Sequence, residues 1–174
     1  QYGGEMPCTR DELLALPGIG PYTAGAVASI AGGQTCPAVD GNVLRVLSRL
    51  FAREWDIRAQ AVKRQAEREL TAVIPADCPG DCNQALMELG ATVCVPNGPP
   101  KCEACPVSEL CLGRLRGTAE TLPVKKPKKA RRVEEKTVFL LLREDRVALC
   151  RRPDTGLLAG LWEFPNVEGN LAEE

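Results

Sequence analysis

Four cysteines fall between positions 94 and 111, in "CVPNGPPKCEACPVSELC", with the spacing C-x7-C-x2-C-x5-C. A loop this short brings its thiols together, so the fold must place a metal, a cluster or disulfides there. The chain contains no histidine. Zinc would therefore need all four thiolates, and all-cysteine ligation serves a 4Fe-4S cluster equally well. Spacing alone does not separate the two. Nine cysteines in 174 residues is a high count. The start, "QYGGEMPC", lacks a basic stretch followed by an apolar core and does not read as a secretion signal. A disulfide scaffold therefore loses weight against metal or redox chemistry. Cys78 and Cys82 read as structural, Cys82 because it opens a helix where an apolar residue would serve. Cys8, Cys36 and Cys150 have no partner in any pattern.

Everything upstream of this loop has helical punctuation. "TRDELLAL" begins with Thr9 and carries Glu12 three residues on, a capping-box pattern, and the helix is expected to run to about Leu16. Pro17 and Gly18 end it, and Pro21 suits the first turn of the next helix, "PYTAGAVASIA". "NVLRVLSRLFA" places Val43, Val46, Leu47, Leu50 and Phe51 on one helical stripe. "IRAQAVKRQAERELTAVI" repeats it with Val62, Ala66, Leu70 and Val73. Asp81 is a plausible N-cap for "CNQALMELGATVC". Residues 1–93 are therefore expected to form an all-α unit of at least five helices. With 44% apolar but only 4% aromatic residues, its core must be built largely from small aliphatic side chains. No run of eighteen apolar residues exists, so no membrane span is expected.

Beyond the loop the composition changes. Residues 112–133 read as a linker, since "KKPKKARR" at 125–132 carries only basic charge with no period. From residue 134, "KTVFLLLRE" and "RVALCRR" read as a first β-hairpin. "GLLAGLWEFP" reads as an apolar loop and strand belonging to a core. About forty residues are too few for that second domain to be complete. The chain lacks an initiator Met and stops just after this apolar motif, so it reads as a fragment. Net charge is −1, and the helical part is more acidic than basic. Any nucleic-acid contact there must use backbone donors and a few positioned cations.

Two stretches carry candidate chemistry. In "LPGIGPYTAGAV" a tight turn with Gly18 and Gly20 joins two helices. Glycine permits left-handed dihedrals and close approach, and the second helix adds free N-terminal amides and a positive dipole end. Together these make an anion site suited to a phosphate. The bland alternative is a helix-helix turn that uses glycine for geometry alone. In "AVDGNVLRV" a lone carboxylate, Asp40, precedes an apolar helix. It reads as an N-cap. A carboxylate at a helix N-terminus is held ionised by the dipole and by amide hydrogen bonds, which also suits it to face a cationic sugar.

These segments resemble the helix-hairpin-helix/Gly-Pro-Asp DNA glycosylase superfamily, and the resemblance extends over essentially the whole chain. It implies a mainly α fold, a helix-hairpin-helix glycosylase unit with a four-cysteine cluster loop, followed by the truncated start of a Nudix-like α/β domain. By this likeness Leu16, Gly18 and Gly20 grip a DNA phosphate, helped by a bound monovalent cation. Asp40 becomes the catalytic aspartate, and Cys94, Cys102, Cys105 and Cys111 ligate a 4Fe-4S cluster. The first gap is one residue longer than in endonuclease III and MutY, within a Pro/Gly loop that can absorb it. Lys101, Arg114 and Arg116 beside the cluster could reach phosphates, or could simply form a solvated face.

Two details favour the MutY adenine glycosylase branch. Tyr22 stands where endonuclease III-like lyases carry a Schiff-base lysine, and tyrosine cannot form that adduct. "DGN" replaces the "DTH" type of segment, which places Tyr22 and Asn42 at the adenine pocket beside Asp40. "GLLAGLWEFP" is similar to the start of the MutY C-terminal domain that recognises 8-oxoguanine. No cluster of Glu residues marks a Nudix hydrolase box. The resemblance implies a monomeric monofunctional glycosylase acting on double-stranded DNA with an adenine:8-oxoguanine mispair. It would be nucleoid-associated in a bacterial cytoplasm, or nuclear in a eukaryote. The general acid is expected outside this chain, which alone should be inactive. The rival readings are an endonuclease III-like glycosylase/lyase and a non-catalytic cluster-containing DNA-binding module.

Overall fold

The computed structural model describes residues 2–124 and 132–171. Residues 125–131, most of the basic run read as a linker, lie outside the described residues. The chain divides into two compact units, Gln1–Pro127 and Lys128–Glu174.

The first unit is built around one buried helix. Its helices are α1 (Arg10–Leu14), α2 (Pro21–Ile30), α3 (Gly41–Leu50), α4 (Gln60–Thr71) and α5 (Pro79–Glu88). On α3, Val43, Leu44, Val46 and Leu47 are buried. Four of the helix's neighbours explain why: α4, α5, the turn after α5 and a short later helix all pack on it. Val39, Val43, Leu44 and Leu47 form one core with Trp55, Ala66, Leu70 and Ile74. A second core gathers Leu13, Ala24, Ala28 and Cys36 between α1 and α2. The predicted stripe on α3 stops short, because Phe51 lies past the helix end and is exposed. Val73 likewise falls beyond α4 and faces solvent.

Three boundaries differ from expectation. α1 ends at Leu14 and not near Leu16, since the residue before Pro17 is disfavoured in helical geometry. α5 begins at Pro79 with Cys78 at the cap position, which leaves Asp81 in the first turn. Proline is preorganised for that first position. At its other end α5 widens into a π-helical turn, Leu89–Val93, that delivers Cys94. The cysteine loop then makes two 3-10 turns, Cys102–Ala104 and Ser108–Leu110, and enters α6 (Leu112–Leu115). α6 packs on α3, and Ala119 and Leu122 are buried behind it. Residues 112–124 therefore fold onto the helical unit before any linker begins.

Among the described residues, the second unit contains three antiparallel strand pairs. β1 (Lys136–Val138) pairs with β6 (Asn166–Glu168), β2 (Leu142–Arg143) with β3 (Arg146–Val147), and β4 (Cys150–Arg151) with β5 (Trp162–Glu163). The expected hairpin is present only as the short β2–β3 pair. Leu157, Leu158, Leu161 and Trp162 were expected in a core, yet all are exposed. Three two-stranded pairs have too little surface to enclose them.

Candidate active site and cysteine loop

The turn between α1 and α2 closes through the Ile19 amide, which donates to the Leu16 carbonyl at 3.2 Å. Only Gly18 requires the left-handed region, at φ +83°. Gly20 does not: it sits at the cap of α2 with φ −95° and ψ 172°. Its missing side chain leaves open space above the turn. No side chain caps α2, whereas Thr9 caps α1 through the Glu12 amide. The first-turn amides of α2 therefore remain available to an outside acceptor.

Asp40 caps α3 with both carboxylate oxygens engaged. Oδ1 accepts from the Val43 amide at 2.8 Å, and Oδ2 accepts from Asn42 Nδ2 at 2.9 Å. The residue remains half-buried. Asn42 is oriented in turn, because its Oδ1 accepts from Arg45 Nη2 at 2.8 Å. Arg45 was not singled out in the sequence, and on an amphipathic helix it reads as a surface charge. Its guanidinium is buried, donating also to the carbonyls of Gly90 and Cys94 at 2.7 Å each. Burial lowers its pKa, Cys94 and Asp40 oppose that, and Arg49 adds to it. Sequence offered only one hint: two arginines four residues apart among Val and Leu.

Tyr22 projects from α2 toward α5, and its hydroxyl donates to Met87 Sδ at 3.2 Å. Met87 packs on the core that contains Val39 and Val43, the residues flanking the Asp40–Asn42 turn. The hairpin, the tyrosine and the carboxylate thus meet through α5, which packs on both α2 and α3.

Cys94, Cys102, Cys105 and Cys111 line one small cavity closed by Pro100 and Ala119. Burial raises the Cys102 thiol pKa, and Cys111, Cys94 and Cys105 raise it further, so all three lie within electrostatic reach. Arg49 is buried beside them. Its Nη1 donates to Cys94 Sγ at 3.3 Å and to the Val95 carbonyl at 2.9 Å. Among the described residues no group of three or more Cys, Asp or Glu is placed to hold a single metal ion. The four thiols with a buried cation beside them make an all-cysteine donor set. Cys78 and Cys82 take no part. Cys82, on α5, packs against the helical core. Of the three nearby cations, Lys101 Nζ donates to the Thr92 carbonyl and Arg114 pairs with Glu109, while Arg116 is exposed.

A family model described as the helix-hairpin-helix motif matches residues 1–30. A solved thermostable thymine-DNA glycosylase superposes with TM-score 0.56 at 35% identity, covering 66% of this chain and 52% of that one. Endonuclease III in a non-covalent DNA complex gives 0.55 at 35% identity, over 67% and 52%. Hairpin, helical core and superposition define the class: the first unit has the helix-hairpin-helix fold of these glycosylases. Beyond the fold, the chain is similar in sequence to adenine DNA glycosylases. It is 38% identical to the one from Homo sapiens over 220 residues, covering 100% of this chain and 40% of the relative. It is 36% identical to that of Schizosaccharomyces pombe, over 94% and 44%, and 39% identical to that of Arabidopsis thaliana, over 93% and 28%. The chain thus spans less than half the length of these relatives.

Proposed function

We propose that the protein carrying this chain is a base excision repair glycosylase. It hydrolyses the N-glycosidic bond of adenine mispaired with 8-oxoguanine or guanine and leaves an abasic site. The observation that carries this reading is the Asp40 carboxylate, fixed through both oxygens on a residue that is still only half-buried.

In this mechanism the adenine is flipped out of the duplex. An acid protonates the base; we expect it in the part of the relatives' length that this chain does not span, so the chain alone should be inactive. The bond from C1′ to the base breaks, and its electron pair leaves with the adenine. Asp40 stabilises the oxocarbenium charge at C1′ or captures it covalently. Water then bonds to C1′ and gives up a proton. Asn42 holds Asp40 and, with Tyr22, lines the adenine pocket. Leu16, Gly18 and Gly20 present the turn and the α2 amides to one phosphate, together with a monovalent cation. Cys94, Cys102, Cys105 and Cys111 would hold a 4Fe-4S cluster, whose contribution is structural and electrostatic. Within this reading the second unit is the start of a Nudix-like domain that recognises 8-oxoguanine. We expect a monomer acting in the nucleus or on the bacterial nucleoid.

The test is Asp40→Asn in the intact protein, on a duplex with one adenine opposite 8-oxoguanine. Adenine release should fall by roughly a hundredfold or more, as for loss of a group that stabilises transition-state charge, with duplex binding retained. Undiminished release defeats the enzymatic role of Asp40. Strand cleavage with a borohydride-trapped adduct in the unaltered protein would favour the lyase reading, which Tyr22 argues against.

A further inference from the structure

The hairpin and Asp40 sit on different helices, and the chain between them crosses an exposed loop at residues 31–35. What fixes their spacing is therefore not local. Asn83, on α5, is fully buried at 0% exposure. Its Oδ1 accepts from the Ala38 amide at 3.0 Å, and its Nδ2 donates to the Cys36 carbonyl and to Ser29 Oγ, both at 2.9 Å. One amide thus ties α2, through Ser29, to the segment 36–38 that leads into Asp40. Three of its four hydrogen-bonding capacities are used. Gly25 completes the seat. A Cβ on Gly25 would lie 2.1 Å from the Pro37 carbonyl oxygen. Only glycine lets the segment rest directly on the α2 backbone.

We propose that Asn83 is a positioning residue, which with Gly25 clamps segment 36–38 onto α2 and so sets Asp40 at its working distance from the phosphate-binding hairpin. Asn83 carries no charge and is too deeply buried to touch solvent or DNA. Its effect passes through the backbone of residues 36–39. A displacement of about 1 Å at a reacting group can cost on the order of a hundredfold in rate. The inference rests on the glycosylase reading above, and on Asp40 as its carboxylate.

The experiment compares Asn83→Ala, Gly25→Ala and Ser29→Ala in the intact protein, each well below its own melting temperature. Two quantities are read: the single-turnover rate of adenine release, and the affinity for a duplex carrying a non-cleavable adenine analogue. Asn83→Ala and Gly25→Ala should each slow release by roughly tenfold to a hundredfold and leave affinity within about threefold. Ser29→Ala leaves both bonds from Asn83 to segment 36–38 in place but cuts the bond that ties Asn83 to α2, so its release should slow in the same direction, by less than in Asn83→Ala, with affinity unchanged. If Asn83→Ala does not fold, Asn83→Asp takes its place. It keeps the acceptor for the Ala38 amide and loses both donated bonds, so the same slowing is expected. Release at the unaltered rate in Asn83→Ala or its replacement, with only a lower melting temperature, would reduce Asn83 to a stabilising residue and overturn the proposal. A loss of affinity in step with rate would overturn it too. Asp40→Asn, run alongside, separates the two readings. Normal release there sinks the glycosylase assignment, whereas a loss there with none in the clamp variants sinks only the clamp.

Discussion

The amide of Asn42 donates to Asp40 Oδ2, and its carbonyl oxygen accepts from buried Arg45. Asn42 therefore orients the carboxylate from a fixed base. Removing it by Asn42→Ala leaves the Val43 cap bond intact but deletes one charge-assisted bond, worth about 1.5–3 kcal/mol. If that bond is felt in the transition state, adenine release should slow by roughly tenfold to a hundredfold. Single-turnover release on mispaired duplex, with circular dichroism as the fold control, checks this. A rate within threefold of the unaltered protein would mean that Asn42 holds the helix and not the reaction.

The cap and the chemistry can be separated at Asp40 itself. Asn caps helices about as well as Asp, so Asp40→Asn should change stability by about 0.5 kcal/mol or less, while Asp40→Ala should cost about 1 kcal/mol. Urea unfolding of both variants measures the difference. Both should lose adenine release, although only one loses the cap.

Arg45 presents the opposite case. Arg45→Leu would leave the Gly90 and Cys94 carbonyls and Asn42 Oδ1 without their donor. Unpaired buried polar groups cost about 1–3 kcal/mol each, so a loss of about 3 kcal/mol is expected in denaturant titration. Arg45→Lys should not restore it, because one ammonium cannot reproduce the fork of donors that reaches both carbonyls.

How much of this was legible in the sequence depended on whether the signal was local. The Asp40 cap, the turn at Gly18 and the buried half of α3 follow from adjacent residue types and helical period. The internal roles of Arg45 and Arg49 do not, because their acceptors lie on the π-helical turn, the cysteine loop and Leu122, far along the chain. Asn83 was invisible for the same reason: its partners are 45 to 54 positions away. The exposure of Leu157, Leu158 and Trp162 failed differently. Apolar pattern predicts a wish for burial, not the presence of enough surrounding chain to provide it.

The cysteine loop makes a prediction independent of activity. Protein purified without oxygen should absorb in the visible and carry about four irons per chain, as all-cysteine ligation of a 4Fe-4S cluster requires. Cys102→Ser should reduce iron content, whereas Cys82→Ala should leave it unchanged, since Cys82, on α5, packs against the helical core and does not line the cavity. Colourless protein with one zinc would replace the cluster by a single ion.

Acid stability reports on the Arg53–Glu69 pair. Burial alone would raise the Glu69 pKa, but hydrogen bonds from Gln65 and Arg53 and the charges of Arg53 and Arg68 outweigh it, so the group titrates below its ordinary 4.5. Arg53 bonds Glu69 at 2.5 Å while stacking on Phe51 and Trp55. A carboxylate with a depressed folded pKa contributes stability that is complete above its unfolded value and fades as pH falls through the folded one. Glu69→Gln should therefore lower stability at pH 7 and flatten the loss below about pH 4.5. The pair is partly solvated, so the effect at neutral pH should be no more than about 1 kcal/mol. Unfolding midpoints from pH 7 to pH 3 measure it. Parallel curves for the two proteins would show that the ion pair contributes nothing, and that Arg53 acts only through its aromatic stack.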